Sequence, residues 1–288
     1  MDLEAVCGPS VPFFKMQGCG NDFVCVDNRE LGYDPEAMPD IVVPVCRKAF
    51  GVGADGMIFL DHAPEGAGLA YIWHFFNADG SRAEMCGNGS RCAARLAWML
   101  GIAPASHVFG TDAGPIEAAV DPDSNLVTVR LTSPKDLRLN IDMEMEVEGR
   151  HHQMTLHSVN TGVPHAVAFV DNLETVDVWQ LGRTVRHHEF FNPAGTNMNF
   201  VAVTGKGQLS LRTYERGVED ETYACGTGAV ASAVIAKELG LTGEETAITT
   251  TGGEELGVIL RDGKTYLRGA AELVFRGGFY PQSLGIES

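Results

Sequence analysis

Cys86-Gly87-Asn88-Gly89 and Cys225-Gly226-Thr227-Gly228 are built alike, each a cysteine followed by small residues and an Ala-rich run that closes on Leu-Gly, at Leu100-Gly101 and Leu239-Gly240. The cysteines stand 139 residues apart (225 − 86), as do the closing glycines (240 − 101), and Thr111-x-x-Gly114 pairs with Thr250-x-x-Gly253 at the same offset. The pattern is that of an internal duplication with one thiol at the mouth of a helix in each copy. A helix N-terminus offers unpaired N–H groups and partial positive charge, which stabilise a thiolate and lower a cysteine pKa from about 8.5 by one to several units. The same N–H groups bind a carboxylate. Two converging helices would hold an α-carboxylate between their N-termini, with the α-carbon between Cys86 and Cys225. One sulfur would then remove the α-proton and the other return a proton to the opposite face, inverting the centre.

A lone Cys-Gly-x-Gly is most often a turn around an inert, buried thiol. Duplication explains why the motif occurs twice, but not why cysteine stands in both copies while Arg91 is matched by Val230 and Cys92 by Ala231. The catalytic pair is therefore the favoured reading for Cys86 and Cys225. Cys7, Cys19, Cys25, Cys46 and Cys92 read as small core residues. Seven cysteines, an odd count with no C-x-x-C, suit reduced thiols rather than a disulfide framework or a zinc site.

The elements that must position these thiols are mostly strands. Strand-like runs are Asp22 to Val26, Met57 to Leu60, Tyr71 to Phe76, Leu126 to Leu131, Ala166 to Val170, Asn199 to Val203 and Gly257 to Leu260. The clearest helices run from Gly89 to Leu100 and from Gly228 to Leu239, apolar nearly all round and so expected to be buried, with glycine at the C′ position. The expected fold is α/β, two pseudo-symmetric domains, each a curved, barrel-like sheet around a central helix. A turn-rich stretch at Ser133-Pro134-Lys135-Asp136 places the boundary, giving domains 1–132 and 133–271.

A formal charge of −17 in 288 residues argues against nucleic-acid and anionic-membrane partners and allows a small zwitterionic substrate. No apolar run reaches membrane-span length, and Met1-Asp2-Leu3-Glu4-Ala5 lacks the basic and apolar regions of a signal peptide, so a cytoplasmic location is expected. Gly51-Val52-Gly53-Ala54-Asp55-Gly56 matches a dinucleotide fingerprint, yet a strand-like run follows it instead of a helix. His151-His152 and His187-His188 read as adjacent pairs pointing apart on polar strands, not as metal ligands. His165, in Asn160-Thr161-Gly162-Val163-Pro164-His165, is placed ahead of a strand, either reaching a cleft or as a plain loop histidine. No cofactor or metal is called for.

The segments Gly18-Cys19-Gly20-Asn21-Asp22-Phe23, Asn77-Ala78-Asp79-Gly80, Glu84-Met85-Cys86-Gly87-Asn88-Gly89, Gly195-Thr196-Asn197, Glu215-Arg216-Gly217 and Ala224-Cys225-Gly226-Thr227-Gly228 together resemble the diaminopimelate epimerase family, in the family's order and over most of the chain. The resemblance implies a cofactor-independent, two-base conversion of LL-2,6-diaminopimelate to the meso form, on the route to lysine and peptidoglycan. It also implies two similar domains closing over the substrate, a C-terminal strand at about 272–288 returning to the first domain, and a homodimer.

Carried over by position, Cys86 and Cys225 match the catalytic thiols, and Gly87, Asn88, Gly226 and Thr227 match the helix-start residues that hold the reacting carboxylate. Asn21, Asn77, Asn197, Glu215 and Arg216 match the family's substrate contacts. Their chemistry suits a distal amino-acid end, which needs an Arg fork for its carboxylate and Asn or Glu acceptors for its ammonium. The chain departs from the commonest pattern at Gly56, where many members carry Gln, and at Val163, where many carry Asn; Asn160 is the candidate replacement. The alternatives are a racemase of another amino acid such as histidine and, in a different class, a thiol redox switch. An amino-acid clamp around Arg216 tells against the switch.

Overall fold

Runs of β-branched and aromatic residues punctuated by glycine make strands the commonest element of this chain, and the two central helices bury mainly small residues. The computed structural model describes residues 3–286 and divides the chain into two units, Met1–Val129 with Ala270–Ser288, and Arg130–Gly269. Met1, Asp2, Glu287 and Ser288, on which the readings of the leader region and the returning strand partly drew, lie outside the described residues.

In the first unit a short helix α1 (Leu3–Cys7) precedes β1 (Val11–Gly18) and β2 (Asn21–Asp27), joined by Cys19 and Gly20 at φ 56° and 76°. Two positive φ values in a two-residue loop suit the twist of the flanking strands, and the register sets Gly18 opposite Asn21. The chain continues through α2 (Met38–Cys46), β3 (Gly56–Asp61), β4 (Ile72–Asn77), α3 (Gly87–Met99), β5 (Ser106–Thr111), β6 (Gly114–Val120) and β7 (Leu126–Leu131). The C-terminal strand Glu272–Phe279 lies antiparallel on β1, with Phe279 opposite Val11. β2 is antiparallel to β1 and parallel to β3, and its apolar run is buried on both faces. Val24 and Val26 pack with Met38, Ile41, Val42 and Val45 of α2. Phe23 and Cys25 alternate to the other face, where α3 lies across β1, β2, β3 and β6.

The second unit opens on a long hairpin, β8 (Lys135–Val147) and β9 (Arg150–Asn160), turned by Glu148 and Gly149 at φ 52° and 74°. It continues through β10 (Pro164–Phe169), α4 (Val178–Arg186), β11 (Asn197–Gly205), β12 (Gln208–Glu215), β13 (Asp220–Thr222), α5 (Gly226–Glu238), β14 (Glu245–Thr249), β15 (Glu255–Arg261) and β16 (Lys264–Ala270). β11 is parallel to β10 and antiparallel to β12, as β2 is to β3 and β1. Met198 and Phe200 pack with Val178 and Val185 of α4. Asn197 and Asn199 therefore share the opposite face of β11, toward α5, which packs on β9, β10, β11, β12 and β15. Each unit is thus a curved sheet around a buried helix, as the sequence predicts.

The differences have local causes. Both central helices begin two residues earlier than expected, at Gly87 and Gly226, because each cysteine is itself the N-cap. Lys135 and Asp136, expected in a turn, already belong to β8. His187 and His188 follow the end of α4, a helix capped by Asp177 accepting from the Gln180 amide at 3.0 Å, so only His151 and His152 lie on a strand. Cys7 is half-buried on α1, outside the core, whereas Cys19, Cys25, Cys46 and Cys92 are buried. Among the described residues no helix is long and apolar enough to cross a membrane.

Candidate active site

In the first unit, Cys86 caps α3 with extended backbone (φ −145°, ψ 121°), and its Sγ accepts from the Gly89 amide at 3.4 Å. A third-residue N–H donating to the cap side chain satisfies one of the orphan donors of the first turn. The Cys86 Sγ also lies 3.7 Å from Asn21 Oδ1, and Asn88 Nδ2 donates to the same oxygen at 3.4 Å. Both amides are held from behind. Asn21 Nδ2 donates to Asp55 Oδ2 at 2.9 Å, and Asp55 and Asp22 bind each other's backbone amides at 3.2 and 3.0 Å. Asp22 pairs with the buried Lys15 at 2.6 Å. Arg91, wholly buried in the second turn of α3, donates to Asn88 Oδ1 at 3.0 Å and to the Gly87 carbonyl at 3.3 Å.

Asn77 stands apart from this group. It sits exposed at the end of β4, its Nδ2 donating to Ser81 Oγ at 3.0 Å. The other thiols of the first unit are of a different kind: burial pushes Cys46 and Cys92 up to about 12 and raises Cys25 as well, keeping them protonated.

In the second unit, Cys225 caps α5 (φ −120°, ψ 105°), is buried, and makes no cap bond through its side chain. Its Sγ lies 3.5 Å from Thr227 Oγ1, which is 2.9 Å from His165 Nε2. Thr161 Oγ1 donates to the Thr227 carbonyl at 2.9 Å. His165 lies within β10, not ahead of it, and is 1% exposed. Burial, with the Arg216 charge adding to it, lowers its pKa to about 3, so the ring is neutral.

Asn197 Oδ1 accepts from the Arg216 amide at 2.7 Å, tying the start of β11 to the end of β12. Glu215 accepts from Thr222 Oγ1 at 2.9 Å, and its burial raises its carboxyl above the usual range against the pull of that bond. The Arg216 guanidinium donates to the Ala194 carbonyl at 3.0 Å. Asn160 closes its own turn by accepting from Gly162 at 3.0 Å, and together with His165, Arg138, Asp136, Phe190 and Thr196 it lines a cleft of about 350 Å³.

Within each unit the structure gathers a capping thiol and its helix-start residues: Asn21 and Asn88 lie beside Cys86, and Thr227 with His165 beside Cys225, while Asn77 is not brought to Cys86. What motif reading missed are the residues that hold them, Asp55, Arg91, Thr161, Asn199 and Thr222. Only Asn199 left a signal, an amide two positions from Asn197 on an otherwise apolar strand. Among the described residues no group of three or more His, Cys, Asp or Glu side chains is placed to hold a metal ion.

The diaminopimelate epimerase family matches the chain over residues 13–136 and 157–274. Relatives bearing that name include a protein of Hydrogenobaculum sp. (strain Y04AAS1), 46% identical over 272 residues covering 91% of this chain and 96% of that one. Another, from Aquifex aeolicus, is 43% identical over 280 residues, 92% and 96% of the two chains. Among solved structures, a hydroxyproline epimerase from Agrobacterium vitis shares the fold at a TM-score of 0.68 and 14% identity, over 94% of this chain and 91% of that one. A phenazine biosynthesis protein of the PhzF family from Bacillus anthracis does so at 0.68 and 14%, over 94% and 99%. These two likenesses bear on the fold alone. The matched residues run through both capping cysteines and both amide sets, and the chain belongs to the diaminopimelate epimerase family.

Proposed function

We propose that this protein is a cofactor-independent epimerase that converts LL-2,6-diaminopimelate to the meso isomer, in the supply of lysine and of peptidoglycan precursors, with Cys86 and Cys225 as its two proton-transfer residues. The observation that carries the reading is that each unit presents one cysteine as the N-cap of its buried central helix, 139 residues apart (225 − 86), in a chain of this family. The reading requires both sulfurs to reach one α-carbon from opposite faces.

The chemistry balances without an external reagent. A thiolate takes the α-proton as the C–H bond breaks, and the electron pair passes into the α-carboxylate. Charge building on the carboxylate oxygens is met by helix-start N–H groups around Gly87-Asn88 and Gly226-Thr227. The second thiol delivers its proton to the opposite face, leaving the thiolate on the other sulfur, and proton exchange with solvent resets the pair. For the distal end, Arg216 is proposed to take the carboxylate and Asn21, Asn77, Asn197 and Glu215 the ammonium. Asn160 is proposed as an added contact, since Val163 cannot hydrogen-bond through its side chain.

Purified protein incubated with LL-diaminopimelate and, separately, with single-ended amino acids including histidine tests this reading by chiral chromatography. Meso product from LL-diaminopimelate alone is expected. Racemisation of another amino acid with no turnover of diaminopimelate would overturn the substrate assignment.

A further inference from the structure

We propose that Asn199 is a positioning residue for Cys225: it fixes which ring nitrogen of His165 carries the proton, and through Thr227 that choice aims a hydroxyl hydrogen at the Cys225 sulfur. The inference deepens the reading of Cys225 as a proton-transfer residue and rests on it.

The direction of each bond follows from one backbone carbonyl. Asn199 is wholly buried, and its Nδ2 lies 2.8 Å from the Ala166 carbonyl, while Oδ1 accepts from Thr213 Oγ1 at 3.0 Å. A carbonyl only accepts, so the amide nitrogen must face it. That same nitrogen is 3.0 Å from His165 Nδ1. A donor at this distance requires a bare Nδ1, and the ring is neutral, so its one hydrogen sits on Nε2 and is donated to Thr227 Oγ1 at 2.9 Å. Thr227 then keeps its own hydrogen for the sulfur at 3.5 Å, which favours the thiolate.

The opposite tautomer reverses the relay. With the proton on Nδ1, two N–H groups would meet at 3.0 Å, Thr227 would donate to Nε2, and Cys225 would be left to donate, which favours the thiol. Asn197 Nδ2, 3.4 Å from Nε2, pulls toward that arrangement. The Arg216 N–H on Oδ1 at 2.7 Å keeps that amide nitrogen toward the ring, but its contact is the longer one. Two amides on one face of β11 thus compete for one ring, and the shorter contact decides. Arg216 is the charged group acting on that ring.

The relay answers a difference between the two caps. Cys86 receives the Gly89 amide, whereas Cys225 has no corresponding side-chain cap bond and takes the Thr227 hydroxyl instead. The first turn of α5 lies so close that a Cβ on Gly228 would stand 2.4 Å from Asn199 Oδ1.

The test uses the full-length chain carrying Cys86→Ala, so that Cys225 reports alone. Long-range ¹H–¹⁵N correlation of ¹⁵N-histidine protein at pH 7, with His165 assigned by comparison with His165→Gln, reads the tautomer directly. A proton on Nε2 is expected, and a proton on Nδ1 would overturn the proposal. Iodoacetamide labelling of Cys225 across pH 6–10 then reads its acidity by mass spectrometry. Thr227→Val and Asn199→Leu are expected to raise the apparent pKa by about one unit, slowing labelling at neutral pH about tenfold, with Thr227→Ser restoring it. An unchanged pKa in folded Thr227→Val would equally overturn it. Should Asn199→Leu not fold, the wild-type tautomer and the Thr227 pair still decide. No epimerase turnover enters these readings, so a wrong substrate assignment would leave them intact.

Discussion

Adding one methyl group to the third residue of each central helix should have opposite consequences in the two units. An ideal Cβ on Gly89 meets Ile58 Cδ1 at 3.4 Å and Cys86 Cβ and Trp73 Cζ3 at 3.5 Å, which is ordinary contact. On Gly228 it meets Asn199 Oδ1 at 2.4 Å, closer than real Cβ atoms come, and Cys225 Cβ and Sγ at a tight 3.3 Å. Alanine in a helix is favoured over glycine by about 1 kcal/mol, so Gly89→Ala should be neutral or stabilising by up to about that amount. For Gly228→Ala, overpacking costs about 1–3 kcal/mol and displacing a buried amide about 1–3 more, leaving a net loss of about 1–5 kcal/mol after the propensity gain. Moving Asn199 also unlocks His165, and losing a hydrogen bond to a charged sulfur, about 1.5–3 kcal/mol, should lower kcat roughly 10- to 100-fold. Gly89→Ala should keep kcat within about threefold, because its amide still donates to Cys86. Thermal unfolding and steady-state kinetics of the two variants side by side make the comparison. Equal behaviour of the pair, or wild-type Tm and kcat in Gly228→Ala, would refute the packing argument.

Cys86→Ala or Cys225→Ala should each lower epimerisation by at least about 10²–10⁴-fold while changing substrate Kd by calorimetry far less, and full turnover by either variant would sink the two-base scheme. Asp55→Ala removes the anchor of Asn21, and the loss of about 1 kcal/mol should raise KM roughly fivefold with little change in the labelling rate of Cys86; an unchanged KM would show that Asn21 holds its place unaided. His165, near 6.5 when unfolded and about 3 when folded, gives stability that is fully present above about pH 6.5 and lost as pH falls toward about 3, with a slope of up to about 1.4 kcal/mol per pH unit. Urea midpoints at pH 7, 5.5 and 4 should therefore fall more steeply for the wild type than for His165→Gln, and parallel curves would contradict the buried neutral ring.

Strands, the two central helices and their capping cysteines were legible because each is a local signal: alternation along β7, Ala-rich runs closed by Gly101 and Gly240, and a duplicated motif at constant offset. The hairpin of β8 and β9 was not: Met143, Met145 and Val147 do alternate with glutamates, but a Ser-Pro turn signal and the polar Lys135, Asp136 and Asn140 stand at the start of β8 and masked it. α2 carries Pro44 and no side-chain cap, so its period was masked. The supporting residues of the site were hidden for another reason. Asn21 meets Asp55 and Thr227 meets His165 only after the sheet has brought distant segments together, and no spacing in the sequence records either contact. His165 was singled out by its neighbours Pro164 and Gly162, yet only the parallel pairing of β10 with β11, setting it opposite Asn197, turns a loop histidine into a buried one.

Isotope labelling tests the two-thiol chemistry most directly. The protein is mixed with LL-diaminopimelate in D₂O, and the reaction is stopped within the first few per cent of conversion. Substrate and product are then separated for mass spectrometry. With one sulfur removing the proton and the other delivering its own exchanged deuteron, the meso product should carry one deuterium at the inverted carbon while the remaining LL substrate stays unlabelled. Product that keeps its original protium would show that a single group returns the proton it removed, and the assignment of Cys86 and Cys225 to opposite faces would fall.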